Sequence, residues 1–346
     1  MPVDGHEPVV EAVAPHTRAA TTDKPLNGRA RRGGMESINR TAIELVDEAL
    51  DFAGELDVVG YELDNGATVV DFGVDAAGGV EAGLLLAEIQ TAGLANLRTR
   101  MGEVAGAPRQ YVELSTDHPA IALLCSQKAG WELVTDDGFE GLGSGPARAL
   151  VGRETEFERV GYYDSSEFAT LAVESTALPT ESVAEHVADL AEVDPEGVFL
   201  PAYATGSTAG SVATAARAAE LAVFRLLEVG YEPTDVLHAS GSAPMAPATR
   251  DEDLAMGRTN DALAYGGEVH LQVARDDDRF EQIVSTARDE YGTPFVEVFE
   301  EADWDFYEVD ERVFAPAKVT VDVLDGPVYT VGETDEELLA ASFGYR

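Results

Sequence analysis

In the run GSVATAARAAELAVFRLLEVGYEP, Arg217 and Glu220 stand three positions apart among alanines, leucines and valines. A helix turning 100° per residue sets them about 60° apart, on one face. Two readings stand open. As a solvent-facing ion pair, with Thr214 and Glu228 in the same arc, they would contribute only about 0–1 kcal/mol. Turned into a pocket, a carboxylate beside a guanidinium is an acid–base centre whose ionisation is set by burial and mutual charge. Leu221 and Phe224 interrupt the polar arc, and Arg precedes Glu, the less favourable order for a surface pair; both points weigh against the first reading.

Lys128, in TDHPAIALLCSQKAGW, is one of two lysines downstream of residue 34 in a chain that otherwise uses arginine. A lysine is a compact charge whose pKa shifts on burial, which suits a site; a surface lysine after an apolar strand is the plainer alternative. His118, before Pro119, reads as a turn or capping residue rather than a general base. Three loops of small residues, GLGSGPAR (141–148), TGSTAGS (205–211) and SGSAPMAPATRDEDLAMGRTNDA (240–262), offer backbone that a ligand can approach. TGSTAGS leads into the Arg217 helix, whose start could receive a phosphate or carboxylate. None of the three is a Walker A sequence or a dinucleotide fingerprint, so taken singly they are ordinary turns; together they suggest loops around one cleft.

Elements must hold these residues. Strand patterns fall at 67–74, 111–115, 168–175, 197–204 and 268–274, with a hairpin at 318–332 turning on Asp325-Gly326. Helical periodicity marks 36–53, 181–192, 211–229, 279–290 and 335–342. The alternation reads as α/β (mixed α+β). Residues 1–34 stand apart, with the run NGRARRGG and a net charge of +1; they read as an N-terminal extension outside the folded body, which spans 35–346.

Composition excludes several classes. The chain has 346 residues, 65 acidic against 23 basic, and a formal net charge of -42. Nucleic acid and anionic membrane surfaces would repel it. Acids spread over the whole body, with only three lysines (Lys24, Lys128 and Lys318), fit a salt-rich cytoplasm, where a Debye length of about 3 Å screens self-repulsion. Cys125 is the single cysteine and reads as a buried, inert thiol. The six histidines show no metal-binding spacing, and no apolar run reaches membrane-spanning length, so a soluble cytoplasmic protein without a metal site is expected.

The stretches GATVVDFGV, TDHPAIALLCSQKAGW, GSGPARAL, GSVATAARAAELAVF, LEVGYEP, MGRTNDALAYGG and YGTPFVEVFEEADWDFYEVDERVFAPAKVTV, in this order, resemble the archaeal methenyltetrahydromethanopterin cyclohydrolase family from about Met35 to near the end of the chain. The resemblance implies two α/β lobes with the substrate cleft between them, an internal boundary near 150–180, and a homotrimer. It implies no metal and no redox cofactor. The implied reaction is reversible hydrolysis of a 5,10-methenyl bridge to a 5-formyl group on tetrahydromethanopterin, or on tetrahydrofolate, which presents the same amidinium.

In the family's motifs the glutamate of the arginine–glutamate helix is the key catalytic residue. That position is Glu220 here, its arginine matches Arg217, and the lysine of SQKAGW matches Lys128. Glu220 is then the expected base and acid, with Arg217 setting its ionisation and Lys128 orienting water or stabilising the tetrahedral adduct. Substrate contacts are expected at Ser126 and Gln127, at Gly143, Ser144 and Gly145, and at Thr205 and Gly206. The alternatives are another C–N hydrolase on the same scaffold, or a pterin-binding or oligomeric protein in which Arg217 and Glu220 only pair.

Overall fold

The computed structural model describes residues 36–288, 291–302, 304 and 309–345, side chains excepted at Glu311; the extension read at 1–34 lies outside them. Two sheets organise the described chain. The first runs β1 (Val59–Glu62), β2 (Thr68–Gly73), β9 (Val198–Tyr203), β8 (Ala172–Glu174), β6 (Glu140–Ser144), β5 (Ala129–Val134), and β7 (Ala169–Thr170) also pairs with β9. The second runs β13 (Val328–Gly332), β12 (Lys318–Val323), β11 (Glu268–Val273), β10 (Val236–Pro244), β4 (Ala107–Thr116), β3 (Asn96–Val104). β9 is parallel to β2, β7 and β8, and β11 is parallel to β12; the other pairs are antiparallel. The fold is α/β, as its patterning indicates.

The chain crosses between the sheets more than once, so they are not consecutive halves. The stretch 150–180 lies within the elements of the first sheet, carrying β7 and β8. Between β4 and β5 the chain makes the crossing through Ala120–Gln127, and between β9 and β10 through Thr208–Ala215 and Ala218–Glu228. Both crossings carry site residues. Leu114, Leu123, Val223 and Leu271 belong to one buried cluster, so sheet two and both crossings share a core.

Small residues set how closely these pieces approach. A Cβ on Gly83, in the helix Val80–Gln90, would sit 2.6 Å from Val212 Cβ and 2.9 Å from Ala209 Cα. One on Gly241 of β10 would sit 2.6 Å from the Ala219 nitrogen. The alanine-rich run 211–229 is therefore clamped on two sides by backbone-to-backbone packing, which larger residues would prevent.

Several elements depart from the sequence patterns. The helix expected at 211–229 is two helices, Thr208–Ala215 and Ala218–Glu228, jointed at Ala216 and Arg217. Arg217 N–H bonds Thr214 O, one residue short of the α-helical ladder. Alanine propensity would carry the helix straight through; the contacts of the arginine side chain override it. The 279–290 periodicity corresponds to 3₁₀ turns at Phe280–Gln282 and Ser285–Ala287, with 289 and 290 outside the described residues. The 168–175 strand is interrupted at Leu171. Ala120–Gln127, read as an apolar strand, is a π-helical segment in which Lys128 N–H reaches back to Leu123 O at 2.8 Å. The hairpin turn is as expected, with Asp325 at φ 56°.

Candidate active site

Three segments meet at the helix joint. Ala129 at the start of β5 pairs with Ser144 at the end of β6, and Gly145 N–H donates to Ser126 O at 2.8 Å. This knits SQKAGW to GLGSGPAR, part of which is strand rather than loop. Asn39 anchors the same turn from the first helix, donating to Pro146 O at 2.9 Å and accepting from Thr170 N at 3.0 Å. Against this turn lies Arg217. Its Nη1 donates to Gln127 O at 2.9 Å and to Glu220 Oε2 at 3.2 Å, and its Nη2 donates to Ser144 Oγ at 3.2 Å.

Arg217 is 7% exposed and Glu220 3%. The surface reading of the pair is thereby excluded, and Thr214, buried, shares no solvent stripe with exposed Glu228. Burial pushes the Glu220 carboxyl above its usual range, against the pull of Arg217, Lys128 and Arg148. The balance leaves a carboxyl that holds its proton more firmly than a surface glutamate does. Arg217 loses by burial and gains from Tyr203, Glu220 and Glu174, the net being a rise, so it stays charged.

Lys128 is near the pair but committed elsewhere. Its Nζ lies 2.7 Å from Glu156 Oε1 and 4.7 Å from the centre of the Phe224 ring. Burial alone would raise the Glu156 carboxyl; Lys128, a backbone N–H and Arg148 together offset this and hold it below the usual range. Arg148, fully buried, sits behind, bonded to Glu154 at 2.9 Å and to Leu124 O at 2.9 Å. Lys128 thus acts on Glu220 through its field, and the structure records no hydrogen bond between them.

The expected contact residues divide. Ser144 is in the cluster. The Ser126 hydroxyl is spent on Gln90 O at 2.6 Å, and Gln127, fully buried, clamps the joint with its carbonyl on Arg217 and its amide on Ala216 O at 3.4 Å. Gly143 is a packing glycine, since a Cβ would meet Leu171 at 2.8 Å; Gly145, at φ +122°, makes the turn beside Ser144. Thr205 donates to Glu174. Gly206 donates to Glu252 at 3.2 Å, and Ser207 caps the helix by accepting from Gly210 N at 2.9 Å. A carboxylate and a serine therefore occupy the Gly206 and Gly210 N–H groups at this helix start. Two surface depressions of about 280 and 390 Å³ are lined by other residues, around Tyr61 and Leu178 and around Val284 and Thr330. Buried charge marks the site.

The family model described as Cyclohydrolase (MCH) matches residues 37–343. A methenyltetrahydromethanopterin cyclohydrolase of Halobacterium salinarum is 58% identical over 310 residues, 90% of this chain and 99% of the relative. That of Methanospirillum hungatei is 40% identical over 315 residues, 90% of this chain and 100% of the relative. The chain belongs to the methenyltetrahydromethanopterin cyclohydrolase family. The matched span begins at Ser37, which caps the first helix by accepting from Arg40 N, and it includes every candidate site residue.

Within this family member, sequence reasoning missed Gln90, Glu156, Glu174 and Tyr203, and treated Arg148 only as part of a motif. Gln90 carried a signal, a lone amide closing the apolar run GLLLAEIQ. Glu156 sits in RETEFER, which reads as solvated surface, and nothing in the spacing brings it to Lys128. Cys125 is buried, and its thiol is pushed up to about 12 chiefly by burial.

Proposed function

We propose that this chain is an enzyme hydrolysing the 5,10-methenyl bridge of tetrahydromethanopterin to the 5-formyl derivative. What supports this most is the buried contact between Arg217 and Glu220 at 3.2 Å, in a family whose relatives bear that name. The methenyl bridge is an amidinium, so the substrate supplies its own electrophilic carbon, and the reading uses no metal or redox cofactor. Glu220, ionised, takes a proton from the attacking water as the C–O bond forms. It returns that proton to the nitrogen that leaves as the C–N bond breaks and the formyl C=O forms. The hydroxyl proton then goes to solvent, balancing the positive charge that the amidinium loses.

Each partner has a part. Arg217 holds Glu220 ionisable inside the protein and fixes its direction through bonds to Gln127 O and Ser144 Oγ. Lys128, held by Glu156, adds a positive field that restrains the rise of the Glu220 pKa, and it retains donors for water or the adduct. Ser144 and Gly145 lie beside the reacting carbon in this reading, with Thr205 and Gly206 further along the same wall. The protein acts in the cytoplasm as a homotrimer.

The test offers purified protein, in molar salt, methenyl-tetrahydromethanopterin and methenyl-tetrahydrofolate separately, and follows the near-ultraviolet methenyl band. Catalysed decay of the first is expected, and decay of the second alone would reassign the carrier. Folded protein that hydrolyses neither would sink the reading, in favour of another C–N hydrolase or a pterin-binding protein.

A further inference from the structure

Arg217 raises an electrostatic problem that its contact with Glu220 does not solve. If Glu220 carries a proton during turnover, as the proposed function requires, the guanidinium loses its only directly bonded carboxylate among the described residues while remaining buried. An uncompensated buried charge costs several kcal/mol. The other neighbours of Arg217, Gln127 O, Ser144 Oγ and the Tyr203 hydroxyl, are neutral.

A second carboxylate lies behind it. Ser144 Oγ, which accepts from Arg217, also accepts from Gln90 Nε2 at 3.0 Å; the same Gln90 Nε2 donates to Tyr203 OH at 3.3 Å; and Tyr203 OH donates to Glu174 Oε2 at 3.2 Å. Gln90, Ser144 and Tyr203 are each at most 1% exposed, so the chain of bonds is dry. Burial and the Glu174 charge raise the Tyr203 pKa, keeping it a neutral donor. Glu174 and Glu220 are then the two carboxylates whose negative fields act on Arg217. Glu174, at the end of β8 and half-buried, receives a second hydrogen bond from Thr205, which holds it in place.

We propose that Glu174 is a positioning residue for the cyclohydrolase site, a second counter-charge to Arg217 acting through Tyr203, Gln90 and Ser144. It keeps Arg217 compensated in the half of the cycle in which Glu220 is protonated, and so makes that protonation easier. Thr205, on the wall of the site, also serves it by orienting Glu174.

The other charges facing these groups are accounted for. Glu220 sees Arg217 from its own joint, Lys128 from the end of the π-helical segment, and Arg148 from the turn after β6. Glu156 is tied to Lys128 and, at 3.9 Å, to Arg148. On the far side Glu174 faces Glu252, whose own carboxyl is held above its usual range by burial and by the Glu174 charge among others.

The test is the pH profile of kcat/KM for methenyl-tetrahydromethanopterin hydrolysis in Glu174→Gln, Glu174→Asp and Glu220→Gln. Activity rises with pH as Glu220 ionises. Removing the Glu174 charge eases that ionisation, so the limb in Glu174→Gln is expected to move to lower pH by about half a unit or more. Glu174→Asp keeps the charge, and its limb stays close to that of the wild type. An unmoved limb in Glu174→Gln overturns the proposal, whether kcat holds or falls together with the melting temperature. Equal shifts in Gln and Asp variants also overturn it, because geometry and not charge is then at work. The inference rests on Glu220 being the titrating base: a Glu220→Gln enzyme that keeps the wild-type limb refutes that reading, whereas an inactive Glu220→Gln with an unmoved Glu174→Gln limb refutes only this one.

Discussion

Replacing Glu220 by Gln separates proton transfer from everything else the side chain does. Gln has the same shape and keeps an amide oxygen where Arg217 Nη1 now finds Glu220 Oε2, at 3.2 Å. What it removes is the charge and the ability to take a proton. Breaking a buried pair outright costs about 3–5 kcal/mol because the survivor is stranded. Here Arg217 retains Gln127 O at 2.9 Å and Ser144 Oγ at 3.2 Å, and the mutation also relieves the desolvation that raises the Glu220 pKa. The net loss of stability is therefore expected to be at most about 2 kcal/mol, or a few degrees in Tm for a body of this size.

Catalysis should suffer far more. A positioned general acid–base contributes roughly 10²–10⁴-fold, or about 3–5 kcal/mol of barrier. The assay is decay of the methenyl band under saturating substrate, with a thermal melt on the same sample. A Glu220→Gln protein that melts within a few degrees of wild type and loses at least a hundredfold in kcat supports the argument. One that is equally well folded and stays within tenfold of wild type refutes it, since the burial argument then has no catalytic consequence.

Four further outcomes are expected. Lys128→Gln removes a positive charge that favours the Glu220 carboxylate, so the Glu220 pKa rises further and the acid limb of kcat/KM moves to higher pH, opposite in sign to Glu174→Gln. The same variant strips Glu156 of its partner at 2.7 Å; a carboxyl depressed in the folded state lends stability above its unfolded pKa and loses it as pH falls, so urea melts should show this increment missing at neutral pH and little changed in acid. Gly241→Ala drives a methyl against the Ala219 nitrogen, costs about 1–3 kcal/mol and, by displacing the first turn of Ala218–Glu228, lowers kcat; unchanged melting and turnover would show that the close approach has no bearing on the site. Cys125, buried and with its thiol pushed up to about 12, should react with a disulfide reagent only as fast as the protein unfolds, and rapid labelling of folded protein would contradict its burial.

Much of this was legible in the residues alone. Strand alternation and the Asp325-Gly326 turn require only local geometry, and β2, β9, β11 and the final hairpin fall where those patterns lie. Arg217, Glu220 and Lys128 stood out because a charge in an apolar run costs energy unless something compensates it. That is a statement about composition and needs no fold. Sequence could not say which way Arg217 and Glu220 face, because one helical face reads alike against solvent or against a buried wall. It could not foresee the joint at Arg217, since alanine favours an unbroken helix and only the fixed acceptors on Gln127 and Ser144 override it. Nor could it pair Lys128 with Glu156 or line Glu174 up behind Arg217. The sequence alone determined which residue types the proposed chemistry draws on and how the elements alternate. Their partners were decided only by the tertiary structure, because electrostatic coupling depends on distance through a dry interior, and residues remote in sequence become neighbours there only once the sheets and crossings have packed.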